Sequence, residues 1–353
     1  MSVIDQAKSM RDGEELDANV IDQWLKSQVD GLQGTPAIKQ FPGGSSNLTY
    51  LISYDNRELI LRRPPFGTKA KSAHDMGREY RVMSALKPVY PYVPDMVAHC
   101  TDESVLDCEF YAMDRIKGII PRKELPEGLD LSEAQVNELC RAVIDRLIDL
   151  HQIDIKAAGL EELGKGEGYV DRQIDGWSQR YINAKTDDAP DYEKVMAWLD
   201  QNRHKQVSVC VVHGDYRFDN VVLNPDNPTD VIGVLDWEMA TLGDPLMDLG
   251  NTLSYWIEAN DPAPMHMMRL QPTHLKGMMT RREVFSYYCE KMGFEDADYT
   301  FYRVYGLFRL SVILQQIYYR FYHGQTKDQR FATYGQVVKM LEQLCLQEIA
   351  AQG

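Results

Sequence analysis

The sequence predicts an α+β protein of two lobes, a small N-terminal lobe built on a β-sheet and a larger, mainly helical C-terminal lobe. Three observations lead to this prediction. Strand-like apolar runs occur early in the 353 residues, at 48–54, 59–63 and 109–113. Later segments have helical periodicity. A single β-rich island, 207–237, interrupts those helices. We place the boundary between the lobes at residue 115, which gives lobes of 1–115 and 116–353.

Two helices are expected beside the early strands. Residues 18–30 place apolar side chains at helical spacing, which predicts a helix before the first strand. A second helix is expected at about 73–86, between the second and third strands. This mixture indicates a small sheet with helices packed against it.

The C-terminal lobe opens with a helix that has a clear start signal. Ser132 and Gln135 have the spacing of a capping box, and apolar residues then follow one helical face over 136–151. Aromatic-rich helical segments are predicted at 281–292, 299–322 and 329–350.

The net charge limits the possible partners. Lys and Arg total 38 and Asp and Glu total 53, so the formal charge is −15. Nucleic acids and anionic membranes require a basic surface, so we expect neither as a partner. The polar, acidic N-terminus does not resemble a signal peptide, and no run reaches the roughly 18 apolar residues of a membrane helix. Six scattered cysteines without a CxxC pair predict buried free thiols and a cytoplasmic location.

The β-rich island carries the candidate chemistry. Two short strands at 221–223 and 231–235 are separated by an Asn/Asp/Pro turn, which predicts a hairpin. Folding this hairpin brings Asp215, Asn220 and Asp236 together, because they lie at the ends of the strands. Such oxygen ligands suit Mg²⁺, and a further carboxylate in the cluster can accept a proton from an attacking hydroxyl group.

The island resembles the catalytic segment of the aminoglycoside phosphotransferase and choline-kinase-like branch of the protein-kinase-like fold. The sequence HGDYRFDN at 213–220 is similar to the catalytic loop of that branch. LDWE at 235–238 is similar to its metal site, and GDPLMDLG at 243–250 to the end of its signature. The resemblance covers about residues 35–330 and implies a two-lobed, protein-kinase-like fold.

The same resemblance implies roles for individual residues. Asp215 would be the catalytic base, with Asn220 and Asp236 as Mg²⁺ ligands. His213 would brace the loop rather than react. Asp248 would anchor backbone at a helix start, or alternatively hold the active-site loop.

Within this branch, three segments are most similar to one subgroup, whose members occur fused to, or encoded alongside, acyl-CoA dehydrogenases. These segments are YLISYDNRELILRRPPFG, HGDYRFDNVVL and DWEMATLGDPLMDLG. The resemblance to this subgroup implies a role in acyl-thioester metabolism more than in antibiotic resistance.

A glycine-rich segment before the first strand predicts a phosphate-covering loop. Glycine allows close approach of the backbone, and Ser and Asn side chains with free N–H groups can bind phosphate oxygens. The residues of this predicted loop are Gly43, Gly44, Ser45, Ser46 and Asn47.

The next strand supplies the predicted nucleotide cation. Alternation allows either Arg62 or Arg63 to face the cleft, and its position relative to the kinase VAIK motif favours Arg62. An arginine here departs from the usual lysine, although it can still bind phosphate. Glu79 is the expected partner of this cation, with a solvated helix charge as the alternative. Met113, on a hinge strand, would contact the base, and core packing is the alternative for it.

The acceptor site is expected in the helical segment after Asp248. Residues 254–282 contain five methionines and, from 258 to 282, four bases against two acids. This composition suits an acyl chain with anionic phosphates better than a polycation, although packed methionines are the alternative. A helix face with Tyr302, Tyr305, Arg309 and Gln316 is a second candidate lining, with core packing as the alternative for the tyrosines.

These expectations predict an enzyme, an ATP- and Mg²⁺-dependent small-molecule kinase that phosphorylates a hydroxyl group. A hydroxyacyl thioester, such as an acyl-CoA, is the first candidate acceptor. A sugar, an amino alcohol or an aminoglycoside is the alternative, and a non-catalytic nucleotide-binding regulatory module is a second class. Protein kinase activity is disfavoured because the His-Arg-Asp and Ala-Pro-Glu signatures are missing from the sequence. The sequence leaves ATP and GTP both open.

Overall fold

The N-terminal lobe is built on one antiparallel sheet. The structure is a computed structural model and describes residues 3–42, 47–67, 75–295 and 297–352. The elements described in this lobe are α1 (Ala18–Gln28), β1 (Ala37–Gln40), β2 (Leu48–Ser53), β3 (Glu58–Arg63), α2 (Met76–Leu86), β4 (Met96–Cys100) and β5 (Phe110–Asp114). The strand order is β1-β2-β3-β5-β4, with every neighbouring pair antiparallel.

The two faces of this sheet have different environments. Leu59 and Leu61 of β3 join a small apolar cluster with Ile21 and Leu25 of α1. Ile60, between them, belongs to the main core, which continues into the other lobe. Because successive strand residues point to opposite faces, the face of Ile60 also receives Arg62.

The C-terminal lobe is mainly helical, as predicted. Its described helices are α3 (Glu133–His151), α4 (Tyr169–Ala184), α5 (Glu193–Gln201), α6 (Pro245–Ser254), α7 (Ala263–Met267), α8 (Arg281–Met292), α9 (Tyr299–Tyr322) and α10 (Tyr334–Gln352). Its strands are β6 (Cys210–Val212), β7 (Val221–Leu223), β8 (Val231–Val234) and β9 (Thr241–Gly243). Helix α9 lies at the centre, packed against α4, α5, α6 and α10. The predicted α+β, two-lobed fold is confirmed.

Several local predictions are also confirmed. The capping box of Ser132 and Gln135 begins α3, with each side chain bonded to the other's backbone N–H. Helices α8 and α9 begin and end where the sequence indicated, whereas the segment at 329–350 starts as the 3-10 turn Gln329–Thr333 before α10. All six cysteines are free, and five of them are buried.

The two lobes are joined by a tight backbone contact after β5. Ile119 and Leu223 exchange two backbone hydrogen bonds of 3.0 and 2.8 Å. Gly118 is required beside them, because a Cβ atom there would lie 2.4 Å from the carbonyl oxygen of Leu223. The backbone N–H of Asp5 donates to the carbonyl oxygen of Gly118 at 3.1 Å, so the N-terminal segment covers this connection.

Within the described ranges, no helix combines the length and the apolar character needed to cross a membrane.

Candidate active site

A cleft between the two lobes collects most of the predicted site residues. The cleft is open to solvent and has a volume of about 1010 Å³. Its lining includes the predicted residues Asn47, Arg62, Glu79, Met113, Asn220 and Asp236. Gly43, Gly44, Ser45 and Ser46 lie outside the described residues, so their predicted contact with phosphates stays a prediction.

Arg62 lies at the centre of the cleft and contacts acids from two different elements. Its Nη1 atom is 3.2 Å from Oε1 of Glu79 on α2, and its Nη2 atom is 3.1 Å from Oδ1 of Asp236 after β8. Arg63 points away from the cleft, is buried and stacks on the ring of Phe66. The structure thus places Arg62, and not Arg63, where the sequence predicted the nucleotide cation.

Glu79 is a buried carboxylate rather than a solvated helix charge. Only 2% of its side chain is exposed. Burial raises the pKa of Glu79, and the neighbouring Arg62 opposes that increase. The pair therefore fixes α2 against the sheet, because an acid buried this deeply requires a nearby cation.

Asn47 is held beside this pair. Its Nδ2 donates to Oε2 of Glu238 at 3.0 Å, and this oxygen is 3.8 Å from Nη2 of Arg62. The end of the glycine-rich segment is therefore connected to the segment that follows Asp236.

Met113 is almost fully buried, and it also lines the cleft. It pairs with Ile60 and Met96 in the sheet. Its position is compatible with both predicted readings, contact with a base and core packing.

The hairpin of β7 and β8 brings Asn220 and Asp236 together, as its sequence predicted. Val221 pairs with Val234, and the N–H of Leu235 donates to the carbonyl oxygen of Asn220 at 2.8 Å. Asp236 adopts a left-handed backbone conformation with φ of 69°. A non-glycine residue in this conformation is uncommon, although aspartate adopts it more readily than most, and such residues cluster at functional sites. Burial raises the pKa of Asp236, but Arg62 outweighs that effect and holds the pKa below its ordinary value.

Asp215 lies on the loop that precedes this hairpin. Asn220 donates its Nδ2 hydrogens to the carbonyl oxygen of Asp215 at 2.8 Å and to its Oδ2 at 3.4 Å. The side chain of Asp215 is 24% exposed, so one side of the carboxylate can be reached. Burial raises the pKa of Asp215, while Arg217 opposes the increase and Asp236 adds to it. A partly exposed carboxyl with a raised pKa is suited to accept a proton.

The residues at the end of the hairpin fit Mg²⁺. Because Nδ2 of Asn220 donates to Asp215, its Oδ1 oxygen remains as a possible ligand. Asp236 uses Oδ1 for Arg62, and its second carboxylate oxygen makes no hydrogen bond or ion pair with the described part of the chain. The same part of the chain has no cluster of three or more His, Cys, Asp or Glu side chains able to hold a metal. One carboxylate and one amide, completed by phosphate oxygens and water, are typical of Mg²⁺.

Asp248 holds the start of the candidate catalytic loop at 213–220. Its two carboxylate oxygens accept the backbone N–H groups of His213 and Gly214 at 2.8 and 2.9 Å. His151 of α3 lies 3.2 Å from the same carboxylate and 2.5 Å from the hydroxyl of Tyr288. Of the two readings of Asp248, the geometry favours holding the loop, since Asp244 is the residue that caps α6.

His213 braces the loop rather than facing the cleft. Its Nε2 atom is 2.9 Å from the carbonyl oxygen of Leu235, which can only accept a hydrogen bond. This contact assigns the hydrogen to Nε2 and leaves Nδ1 to accept from the N–H of Asp215 at 3.3 Å. The imidazole also packs on Trp237, with 4.8 Å between the ring centroids.

Three residues with contacts at the site were not singled out, or not assigned a role, from the sequence. Arg217 bridges Asp215 and Asp219, with separations of 3.3 and 3.2 Å. Arg78 of α2 donates to the carbonyl oxygens of Glu238 and Ala240. Arg309 of α9 donates to the carbonyl oxygen of Gly214 at 2.9 Å. Arg217 lies inside the HGDYRFDN motif, but the contacts of the other two arise from distant elements.

Residues 254–282, the segment expected to bind the acceptor, are less basic in the structure than their composition suggests. Most of its bases are paired with acids: Arg269 with Glu124, Lys276 with Glu133, and Arg281 with Glu258 and Asp261. Met265 and Met279 are buried in the core, and Met267 is 77% exposed. The segment therefore offers little unpaired positive charge, and two of its five methionines are core residues.

The helix face of α9 is mostly packing. Tyr302 and Tyr305 are buried, as the core reading predicted. Gln316 is exposed and does not line the cleft, so its expected place in the lining was wrong. Of these four residues, Arg309 is the one that hydrogen-bonds to the loop at 213–220 within the described chain.

The comparisons with known proteins agree with this geometry. The model of a family described as "Phosphotransferase enzyme family" matches residues 37–275, which is more than half of the chain. The mouse protein "Acyl-CoA dehydrogenase family member 10" is 34% identical over 327 residues, covering 91% of this chain and 30% of its own length. The chain thus spans about a third of that relative.

Solved structures show the same fold. A Ralstonia eutropha protein, provisionally described as an aminoglycoside phosphotransferase, has a TM-score of 0.80 and 28% identity, with 95% of this chain and 98% of that chain covered. Choline kinase of Cryptosporidium parvum has a TM-score of 0.65 and 15% identity, with 96% and 97% covered. The aminoglycoside phosphotransferase APH(4)-Ia, in a ternary complex with AMP-PNP and hygromycin B, has a TM-score of 0.57 and 13% identity, with 92% and 98% covered.

Proposed function

The chain belongs to the phosphotransferase enzyme family, and from this premise we propose that it transfers the γ-phosphate of ATP to a hydroxyl group of a small molecule. The family and the structural neighbours support a small-molecule kinase. One observation carries the proposal: Arg62, Asn220 and Asp236 line one cleft, and Asn220 donates a hydrogen bond to Asp215.

The nucleotide would lie between the sheet and the hairpin. Arg62 presents a guanidinium fork to the phosphates, because its partners Glu79 and Asp236 hold it from two sides. Met113 lies on the strand that leads to the connection between the lobes, where a base would contact the backbone. Asn220 and Asp236 would hold Mg²⁺, which supplies positive charge against the phosphate oxygens when bound.

The chemical step would be an in-line displacement at phosphorus. The acceptor hydroxyl oxygen forms a bond to the γ-phosphorus, and the bond from that phosphorus to the bridging oxygen of ADP breaks. Asp215 receives the hydroxyl proton, and the electron pair of the broken bond leaves with ADP. Asn220 orients Asp215 by donating to its carbonyl and carboxylate oxygens.

For the acceptor, we propose a hydroxyacyl thioester. The mouse relative is named for acyl-CoA dehydrogenases, and two arginines, Arg217 and Arg309, lie near Asp215. Positive charge near the base favours acceptors with carbonyl or anionic oxygens over polycations. Sugars, amino alcohols and aminoglycosides remain the alternatives, and a cytoplasmic location is part of the proposal.

The test is a nucleoside-diphosphate-release assay with Mg²⁺, which measures ADP from ATP or GDP from GTP, and a panel of hydroxyacyl-CoAs, sugars, amino alcohols and aminoglycosides. We expect an added phosphate on a hydroxyacyl thioester, detected by mass spectrometry, and loss of that product in Asp215→Asn. Asp230→Asn, on the exposed turn of the hairpin, is the matched control. Nucleotide binding without any phosphorylated product would instead favour a regulatory module.

A further inference from the structure

Arg217 has an unusual place beside the proposed catalytic base. Its Nη2 atom is 3.3 Å from Oδ2 of Asp215, and its Nε atom is 3.2 Å from Oδ1 of Asp219. The guanidinium lies over the ring of Tyr255, at 4.8 Å from its centroid. Tyr255 follows α6, so the guanidinium of Arg217 packs on a residue of the helical lobe.

This arginine retains unused hydrogen-bonding capacity. Although Nε of Arg217 and Oδ1 of Asp219 are close, both are buried without a hydrogen bond to any described residue. Nη1 of Arg217 forms no hydrogen bond or ion pair with the described part of the chain. A guanidinium has five N–H donors in a planar fork, so donors remain for a ligand.

The surrounding contacts hold Arg217 in position. Gln271 accepts the N–H of Phe218 at 2.9 Å and donates to the carbonyl oxygen of Tyr255 at 3.0 Å. Gln271 is fully buried, and its two hydrogen bonds connect the loop of Arg217 to Tyr255, the residue on whose ring Arg217 stacks. The side chain of Arg217 is 15% exposed, which leaves an edge of the fork accessible.

Other cations nearby are less available. Arg269 and Arg281 of the helical segment donate hydrogen bonds to acids. The contacts of Arg217 with its two acids are ion pairs without a hydrogen bond among the described residues. Arg309 is buried and donates to the carbonyl oxygen of Gly214. Arg217 is therefore the cation next to the base that combines partial exposure with unused donors among the described residues.

We propose that Arg217 is the specificity-determining residue of the acceptor site and binds an oxygen of a carbonyl or carboxylate group next to the acceptor hydroxyl. This inference rests on the proposed phosphotransfer. The carbonyl oxygen of the acceptor would accept hydrogen bonds from the free N–H groups of Arg217, while the acceptor hydroxyl contacts Asp215. A substrate that lacks such an oxygen leaves these donors unpaired, which is a strong basis for rejection.

The test compares three acceptors that differ beside the hydroxyl: the N-acetylcysteamine thioester of 3-hydroxybutyrate, 3-hydroxybutyrate itself, and 2-butanol, which has no second oxygen. Wild type should prefer the thioester or the carboxylate over 2-butanol. In Arg217→Met, kcat/KM for the preferred acceptor should fall by about 10- to 100-fold, the loss expected for one charged hydrogen bond. The KM for ATP should stay unchanged, and Arg217→Lys should recover part of the loss because it keeps the charge but not the fork.

A binding measurement keeps the inference separate from the proposed function. The thioester of butyrate with N-acetylcysteamine and butyrate itself lack the hydroxyl, and calorimetry measures their binding without turnover. Binding of either probe to wild type but not to Arg217→Met supports the inference even if no acceptor is phosphorylated. Equal binding, no binding to wild type, or equal losses on all three acceptors would overturn it. Arg330→Met, at an exposed surface position, is the control.

Discussion

Asp248→Asn replaces one carboxylate oxygen beneath the catalytic loop with an NH₂ group of similar size. In the native protein both oxygens accept backbone N–H groups, from His213 and Gly214, and His151 adds a third contact. Asparagine keeps one acceptor and points its NH₂ donors at the second N–H group. The substitution therefore leaves a buried donor facing another donor.

The expected loss of stability follows from these contacts. A hydrogen bond to a charged group contributes about 1.5–3 kcal/mol, and breaking a buried charged network costs about 3–5 kcal/mol. We expect the free energy of unfolding to fall by about 3 kcal/mol or more at neutral pH. A displaced loop should also reduce kcat by about 100-fold, because small misplacements of a catalytic group have effects of this size.

The stability effect should depend on pH. Burial raises the pKa of Asp248, but His151 and the loop N–H groups outweigh it and hold the pKa below its ordinary value. A carboxylate whose pKa is lowered by folding stabilises the protein at pH values above its pKa in the unfolded chain, about 3.9. This stabilisation is lost as the pH falls through the pKa of the folded state. The difference between wild type and Asp248→Asn should therefore narrow below about pH 4.

Urea unfolding at several pH values and steady-state kinetics would measure both effects. Asp244→Asn is the matched control, because Asp244 is also fully buried and caps α6 one turn earlier. Asparagine is as good an N-cap as aspartate, so this control should keep its kcat. Its NH₂ group would face the partly buried N–H of Val207, which should cost about 1.5–3 kcal/mol, less than the loss at Asp248, where both backbone N–H groups are buried. If the two variants lose equal stability and activity, Asp248 is a helix-capping residue and does not position the loop.

Three further predictions concern the cleft. Arg62→Met leaves Glu79 buried without its cation, so the free energy of unfolding measured in urea should fall by about 3–5 kcal/mol. The double variant with Glu79→Gln should recover part of this loss, and a smaller loss in the single variant would contradict the pairing. The raised pKa of Asp215 predicts that kcat/KM, measured as a function of pH, falls on the acid side with an apparent pKa above that of an ordinary aspartate. Arg217→Met should raise this apparent pKa further, because Arg217 opposes the increase. An unchanged apparent pKa would exclude Asp215 as the titrating base. Gly118→Ala forces the connection away from Leu223, so nucleotide affinity measured by calorimetry should fall, whereas Gly176→Ala inside α4 should preserve it.

The hairpin and its polar ends could be predicted because their information is local. The strands β7 and β8, the turn between them and the residues at 213–220 and 236 lie within 30 consecutive residues. Alternation in β3 likewise placed Arg62 and Arg63 on opposite faces. Such features depend on the period of the strand and on turn chemistry, which a single sequence contains.

Contacts between distant elements could not be predicted in this way. His151 lies 97 residues from Asp248, and Tyr288 lies 137 residues from His151. Nothing in the sequence around these three residues indicates that they meet. The strands β1 and β4 were also missed, because runs of four and five residues with mixed burial have little periodicity.

The prediction of a basic acceptor segment was wrong because it also ignored contacts between distant parts of the chain. Four bases against two acids made residues 258–282 appear basic, but Glu124 and Glu133 approach from another part of the chain. The charge relevant to an acceptor is set by which cations remain unpaired after folding. Arg217 was inside the recognised motif, yet its value as a ligand depends on Tyr255 and Gln271, 38 and 54 residues further along the chain.

The arginine at position 62 is explained by what it connects. Its two terminal nitrogens reach Glu79 on α2 and Asp236 on the hairpin, at 3.2 and 3.1 Å, so one side chain joins the sheet, the helix and the candidate metal site. A lysine is a single point charge, whereas the planar fork of arginine can satisfy two acids from different directions. Bound phosphates would compete with Asp236 for Nη2 of Arg62, and a metal ion would compete with Nη2 for the carboxylate of Asp236, while Glu79 keeps the Nη1 side. The substitution of arginine for the usual lysine thus preserves the link to α2 while nucleotide binds.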